Sequence, residues 1–197
     1  MKPNQNSDSS KKNQVEKMFD SISFEYDLLN GIMTFNNHKR WKKNILNIAK
    51  NLKPKNALDI ATGTADIAIN LGSISNCKVV GVDISEQMLN VGREKISKMK
   101  LTKSVSLEKG DAENLNFKDN HFDLVTIGFG VRNFQDLQKR LKESFRILNQ
   151  KGTLIILETS VPENKIMKLL YSIFTRTYIP LMARLFSKDI SAYNYLL

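Results

Sequence analysis

The rhythm of apolar and polar positions changes near residue 55. Before it, Trp41, Ile45, Ile48, Ala49 and Leu52 fall on one face of a helix predicted from His38 to Leu52, which Pro54 ends. Trp41 reads there as a core anchor. Val15 to Thr34 mixes apolar and polar residues at short helical spacings, with Asn30-Gly31 as a break. Residues 1–14 are polar and read as a disordered tail. After residue 55, short apolar runs alternate with helical stretches. Strands are expected at Ala57–Ala61, Lys78–Asp83, Ser104–Glu108, Phe122–Ile127 and Gly152–Glu158. Helices are expected at Thr64–Gly72, Ser85–Lys98 (with Ser85 as N-cap) and Gln135–Leu148. Such alternation predicts an α/β fold: a parallel sheet with right-handed crossovers, binding ligands at the carboxyl ends of its strands. Ile166 to Phe186 is apolar but broken by Lys168, Arg176, Pro180 and Arg184. No run reaches the ~18–20 residues of a spanning helix, so this stretch reads as amphipathic helix pieces.

Composition narrows the class. At 197 residues the chain is long enough for one domain with a core of its own. A lone Cys77 excludes a disulfide framework, and with only His38 and His121 beside it no zinc ligand set is expected. The N-terminus has no apolar signal-peptide core, which points to the cytoplasm. A net charge of +10 suggests nucleic acid at first sight, but its distribution argues otherwise. Residues 1–55 hold eleven basic and five acidic side chains, and residues 165–197 five and one. Residues 56–164 hold fourteen of each, so the predicted sheet is neutral. A solvated lysine surface and attraction to anionic lipid both fit this pattern, and nucleic acid is not expected.

The candidate chemistry gathers at the strand ends. Ala57 to Asp66 reads as strand, tight turn and helix start, with Gly63 letting backbone approach a ligand closely. Asp59, Asp83, Asp111 and Gly128 stand at carboxyl ends of strands. Asp83 closes strand two, twenty residues after Gly63, where an acid accepts from ribose hydroxyls. Gly110-Asp111-Ala112 after strand three offers a carboxylate and a small residue to an adenine edge. Dinucleotide dehydrogenases share the ribose acid but carry G-x-G-x-x-G where this chain has Thr62-Gly63-Thr64-Ala65-Asp66. Each acid alone reads equally as a helix cap or a solvated strand end. Their common register points to an adenosyl ligand.

Three motifs then carry a resemblance. Tyr26-Asp27-Leu28-Leu29-Asn30 is followed by Thr34, His38 and Trp41; Gly128-Phe129-Gly130-Val131-Arg132-Asn133 follows strand four; and Arg146-Ile147-Leu148 leads to Gly152 and Glu158-Thr159-Ser160. In these the chain resembles the demethylmenaquinone and polyprenyl-benzoquinol C-methyltransferases, a family of class I S-adenosylmethionine-dependent methyltransferases. Leu29, Thr34, Gly128 and the Asn149-Gln150-Lys151 loop depart from the family pattern. The resemblance implies a Rossmann-like sheet with helices on both faces. It implies a helical cover over residues 15–55, a cofactor-binding sheet over 56–160 and an amphipathic helical segment over 161–197. Gly63, Thr64, Asp83, Asp111, Ala112 and Gly128 then take the S-adenosylmethionine contacts, and no metal is implied. Gly128 stands where the family has a serine, so one side-chain contact is missing. Arg132, Asn133 and Tyr26 take the acceptor side, Arg132 stabilising a quinolate or aiming a water, and Tyr26 orienting the ring.

The reaction so implied is C-methylation of a demethylated polyprenyl quinol, in menaquinone or ubiquinone synthesis, with Ala65 leaning toward menaquinone. The +4 balance of residues 165–197 adds an expectation of peripheral contact at the inner face of the membrane. Family members continue beyond residues 193–196 into another helix and a final pair of strands. The expected sheet therefore lacks its last two strands and ends at the fifth with an unpaired edge, which favours self-association. Two alternatives stay open: a non-catalytic cofactor-binding remnant, and a methyltransferase for another small molecule or RNA.

Overall fold

The computed structural model of the chain describes residues 3, 8–186, 189, 192 and 195. It divides into two compact units, Lys39–Glu158 and the pair of segments Met1–His38 with Thr159–Leu197.

The unit Lys39–Glu158 is built on five parallel strands: β1 (Asn56–Ile60), β2 (Lys78–Asp83), β3 (Val105–Lys109), β4 (Phe122–Gly128) and β5 (Leu148–Leu157), in the order β3-β2-β1-β4-β5. The order reverses between β1 and β4, the switch point where such sheets open a crevice. The inner strands are buried on both faces, which is why they read as nearly unbroken apolar runs. On one face Ala57, Val79, Val105 and Leu124 pack with Ile67, Ala68 and Leu71 of helix α4 (Asp66–Gly72) and Ile96 of α5 (Glu86–Lys98). Ile45 and Ala49 of α3 (Asn37–Leu52) join the same cluster. On the other face Leu58, Ile60, Val82, Val125 and Ile127 pack with Leu115, Phe134 and Ile147, the last from α6 (Leu137–Ile147). Trp41 is 37% exposed, with its ring 6.2 Å from that of Phe129, so it borders the strand ends rather than anchoring the core.

The other unit holds α1 (Lys11–Ile22), α2 (Tyr26–Met33), α7 (Lys165–Ile173) and α8 (Ile179–Phe186). Ser10 caps α1 by accepting from the Asn13 N–H, so helix begins inside the expected tail; residues 1, 2 and 4–7 of that tail lie outside the described residues. The predicted break at Asn30-Gly31 is also displaced. Gly31 is helical, and the chain turns at Phe35 and Asn36, both left-handed. Residues far apart in sequence meet here: Ser21 donates to Asp189 at 2.9 Å and the Tyr178 hydroxyl to the Ile32 carbonyl at 3.4 Å. Between α7 and α8 the helix widens into a π-turn, Phe174–Tyr178. Pro180 lacks an N–H and would crowd the carbonyl four residues back, and the wider turn accommodates it. No described helix is long and apolar enough to cross a membrane.

Candidate active site

The first strand end is a strained, tightly tied turn. Ala61, Gly63 and Ala65 all have left-handed backbone, φ 54°, 54° and 67°, and only glycine adopts this freely. The Ala65 N–H donates to the Thr62 carbonyl at 2.9 Å and the Thr62 N–H to the Val82 carbonyl at 3.1 Å. Asp83 then clips two loops together. One carboxylate oxygen accepts the Gly63 N–H at 2.8 Å and the other the Ser85 N–H at 2.9 Å, while Ser85 caps α5. A carboxylate oxygen has two lone-pair sites, so these bonds leave Asp83 able to accept from a ligand as well. A side chain at Gly63 would meet nothing within 4 Å: the turn faces open space.

Two further carboxylates stand beneath this turn. Asp59 on β1 is buried and accepts from the Thr62 hydroxyl at 2.7 Å and the Thr126 hydroxyl at 2.6 Å. Desolvation outweighs those bonds and pushes its pKa up to about 6. Asp66, in the first turn of α4, takes Lys42 and Lys95 as partners, and their ammonium groups overcome its burial to hold its pKa down at about 2.

After β3, Asp111 accepts the Glu113 N–H at 2.9 Å, with the Arg140 guanidinium 3.7 Å away. Ala112 beside it is buried. Helix α6 pins this loop. Arg140 bonds Glu113 at 2.8 and 3.1 Å and lies 4.2 Å above the Phe134 ring centre. Arg146 donates to the Leu115 and Phe117 carbonyls at 2.9 and 2.8 Å and to Glu143 and Asp119. The arginine of the third motif is thus a staple for the loop that carries Asp111 and Ala112.

At the end of β4, a Cβ on Gly128 would run into the Cδ1 of Ile67, so a larger residue there requires the Ile67 side chain to shift. Phe129 is left-handed, and a single 3-10 turn, Val131–Asn133, follows. Arg132 pairs with Glu158 at 3.5 Å, and the Asn133 Oδ1 is buried with no hydrogen-bond partner among the described residues. Buried acceptors are nearly always satisfied, so this one stands out.

Gly63, Thr64, Asp83, Asp111, Ala112, Gly128, Arg132 and Asn133 all belong to the Lys39–Glu158 unit, at the carboxyl side of β1 to β4. Tyr26 belongs to the other unit, where its ring meets Phe19 edge-on at 6.0 Å. His38 is buried there, its Nδ1 2.7 Å from the Thr34 hydroxyl. Sequence reasoning passed over Lys42, Asp66, Lys95, Arg140 and Glu113. Their partners lie 24 to 31 residues away on separate elements, beyond any local spacing rule. Glu158 stood in the third motif, but only the fold pairs it with Arg132.

Residues 7–197 match the ubiE/COQ5 methyltransferase family. A demethylmenaquinone methyltransferase from Bacteroides fragilis is 42% identical over 197 residues, covering 100% of this chain and 80% of the relative. One from Staphylococcus epidermidis is 41% identical over 188 residues, covering 94% and 77%. Among solved structures, an S-adenosylmethionine-dependent methyltransferase from Thermotoga maritima is 26% identical with a TM-score of 0.58, covering 83% of this chain and 70% of that one. With its parallel sheet, acidic strand ends and the three motifs in place, the chain belongs to the ubiE/COQ5 methyltransferase family.

Proposed function

We propose that the chain is an S-adenosylmethionine-dependent C-methyltransferase that converts a demethylated polyprenyl quinol, demethylmenaquinol to menaquinol, in menaquinone or ubiquinone synthesis. The observation that carries this reading is the Asp83 carboxylate bonded to the Gly63 N–H beneath an open turn. Those residues fit a nucleoside: Asp83 accepts from ribose hydroxyls, Asp111 from the adenine amino group, and Ala112 adds a small surface against the ring. Gly63, Thr64 and Gly128 would complete the contacts to the cofactor. When bound, the cofactor supplies an electrophilic methyl group on its sulfonium.

The chain's own residues govern the acceptor. A quinol ring carbon becomes nucleophilic as its neighbouring hydroxyl loses a proton, and that proton passes to water. Arg132 is always charged and cannot serve as a base. Its guanidinium instead stabilises the quinolate oxygen or aims the water. Glu158 pairs with the guanidinium at 3.5 Å. Asn133, beside Arg132 in the 3-10 turn, stands on the acceptor side with a buried Oδ1 that has no hydrogen-bond partner among the described residues. As the new carbon–carbon bond forms, the methyl–sulfur bond would break to leave a neutral thioether. The ring carbon then loses its hydrogen as a proton to water, and the oxygen regains one, so aromaticity returns with one proton released overall. The reading includes peripheral contact at the inner face of the membrane, self-association, and no nucleic-acid partner; exposed Ile166, Met167, Leu169 and Leu170 on α7 support the membrane contact.

The test is transfer of a tritiated methyl group from the cofactor into extracted demethylated quinols. Label is expected in the quinol fraction, and a quinol pool left unlabelled retires the assignment. Arg132→Ala is expected to lower turnover about 10²–10³-fold with cofactor affinity unchanged, as for loss of one oxyanion donor; unchanged turnover removes Arg132 from the mechanism.

A further inference from the structure

The cations of the Lys39–Glu158 unit differ between the two ends of its strands. At the carboxyl ends they are paired: Lys42 and Lys95 with Asp66, Arg132 with Glu158 and Arg140 with Glu113. At the amino ends, Lys53 and Lys55 lead into β1, Lys78 opens β2, and Lys100 and Lys103 lie between α5 and β3. All five are exposed, and none forms an ion pair among the described residues. Hydrogen bonds bring three of them together. The Lys78 N–H donates to the Lys55 carbonyl and the Lys78 Nζ to the Lys103 carbonyl, both at 2.7 Å. Asp123 on β4 feels the Lys55 charge, but its oxygens already accept from the Lys55 and Asn56 N–H groups at 2.8 and 2.9 Å. The Asn149 amide donates to it as well, at 2.7 Å.

Helix ends account for part of this charge. α3 and α5 finish here, and a cation just past each end suits the carbonyls left there. Lys53 and Lys100 hold those positions, with φ 50° and 57°. Lys55, Lys78 and Lys103 stand at the starts of strands, which have little net dipole, so the same reason does not extend to them. Like charges on neighbouring strands repel, and an anionic partner relieves that repulsion. Exposed Leu52 and Met99 adjoin Lys53 and Lys100 in the chain. Neither is a ring on which a nucleic-acid base stacks. Lipid fits less well, because the rim proposed to take a lipid-borne quinol lies at the other end of the same strands. Aliphatic groups bordered by charge suit a protein surface of opposite sign.

We propose that the amino ends of β1 to β3 form a docking surface for an acidic segment of another protein, with Lys55, Lys78 and Lys103 as its cationic centre. The choice of protein over lipid rests on the quinol reading above. A partner seated there leaves the cofactor rim uncovered.

A fluorescent glutamate decapeptide is the probe, titrated at low salt and read by anisotropy. The triple variant Lys55→Gln, Lys78→Gln, Lys103→Gln is expected to bind it at least about tenfold more weakly than the unaltered protein. A control removing as much charge elsewhere, Lys17→Gln, Lys165→Gln, Lys168→Gln, is expected to lose less than about threefold. Equal losses in the two, or no binding by the unaltered protein, overturn the proposal. It is also overturned if an oligonucleotide or phosphatidylserine vesicles bind more tightly than the peptide and lose more in the first variant. Should that variant not fold, lysine acetylation of the unaltered protein is mapped with and without the peptide. Protection of Lys55, Lys78 and Lys103 supports the docking surface, and unchanged labelling overturns it. S-adenosylhomocysteine affinity and methyl transfer are expected to be unchanged in the first variant. Failure of the quinol reading therefore shows in the transfer assay, and failure of the docking surface in the peptide titration.

Discussion

Asp59 and Asp66 flank the same turn and titrate in opposite senses. Asp59 keeps its proton up to about pH 6 in the folded chain, whereas its ordinary value is 3.8. Between those pH values the folded state binds more protons than the unfolded one, so this group's contribution to stability falls as pH rises through the window. The full loss is about 3 kcal/mol. Asp66 has its value lowered to about 2, so its contribution is complete above pH 3.8 and is lost as pH falls toward 2. Urea denaturation from pH 2 to 7 checks both signs. Asp59→Asn should flatten the decline between pH 4 and 6, and Asp66→Asn should flatten the loss below pH 4. Matching slopes in variant and unaltered protein would show that these carboxylates do not set the profile. At neutral pH Asp59 is mostly ionised at a cost, a burden that secures Thr62 and Thr126 beneath the turn.

Helix α5 reaches that turn through Gly92. A Cβ there would lie 2.7 Å from Leu107 and 3.0 Å from the Ala65 Cβ, with the Thr64 backbone next. Gly92→Ala is therefore expected to destabilise the fold by about 1–3 kcal/mol and to weaken cofactor binding by displacing Thr64 and Ala65. Denaturation with parallel titration reads both; unchanged values would mean the helix shifts without disturbing the turn. The elements themselves were largely legible in the chain. β2 occupies the predicted Lys78–Asp83, because an apolar run closed by an acid has few other readings. The misplacements have local causes. Asn30-Gly31 carries turn residues, but α2 continues to Met33 and the reversal falls on Phe35 and Asn36, where no glycine marks it. β5 starts at Leu148, four residues early, directly from the end of α6. Its pairing shifts register after Leu148 and resumes at Thr153, so only the regular part carried a strand pattern. In the site, the strand-end acids were readable because the sheet's period puts them at one edge. The ion pairs Lys42–Asp66–Lys95 and Arg140–Glu113 were not, since nothing local links side chains from separate helices.

At the scale of the whole molecule, the unit Met1–His38 with Thr159–Leu197 exposes Phe24, Ile166, Leu169 and Leu185. Arg176 and Arg184 stand on the same helical stretch. Aliphatic groups interleaved with cations suit an anionic lipid surface. Sedimentation with anionic vesicles should carry the protein down at low salt, less so above about 0.15 M. Protein left in the supernatant at low salt ends the interfacial reading. The two units also differ in how synthesis can complete them. All the residues proposed to hold the cofactor lie in one uninterrupted stretch, Lys39–Glu158, closed as soon as residue 158 has left the ribosome. Its companion joins residues separated by more than a hundred positions, as Ile32 with Tyr178 and Ser21 with Asp189. Contacts so distant form slowly and late. A nascent chain of this kind completes the unit proposed to hold the cofactor first, and its early helices pair later with segments that emerge last.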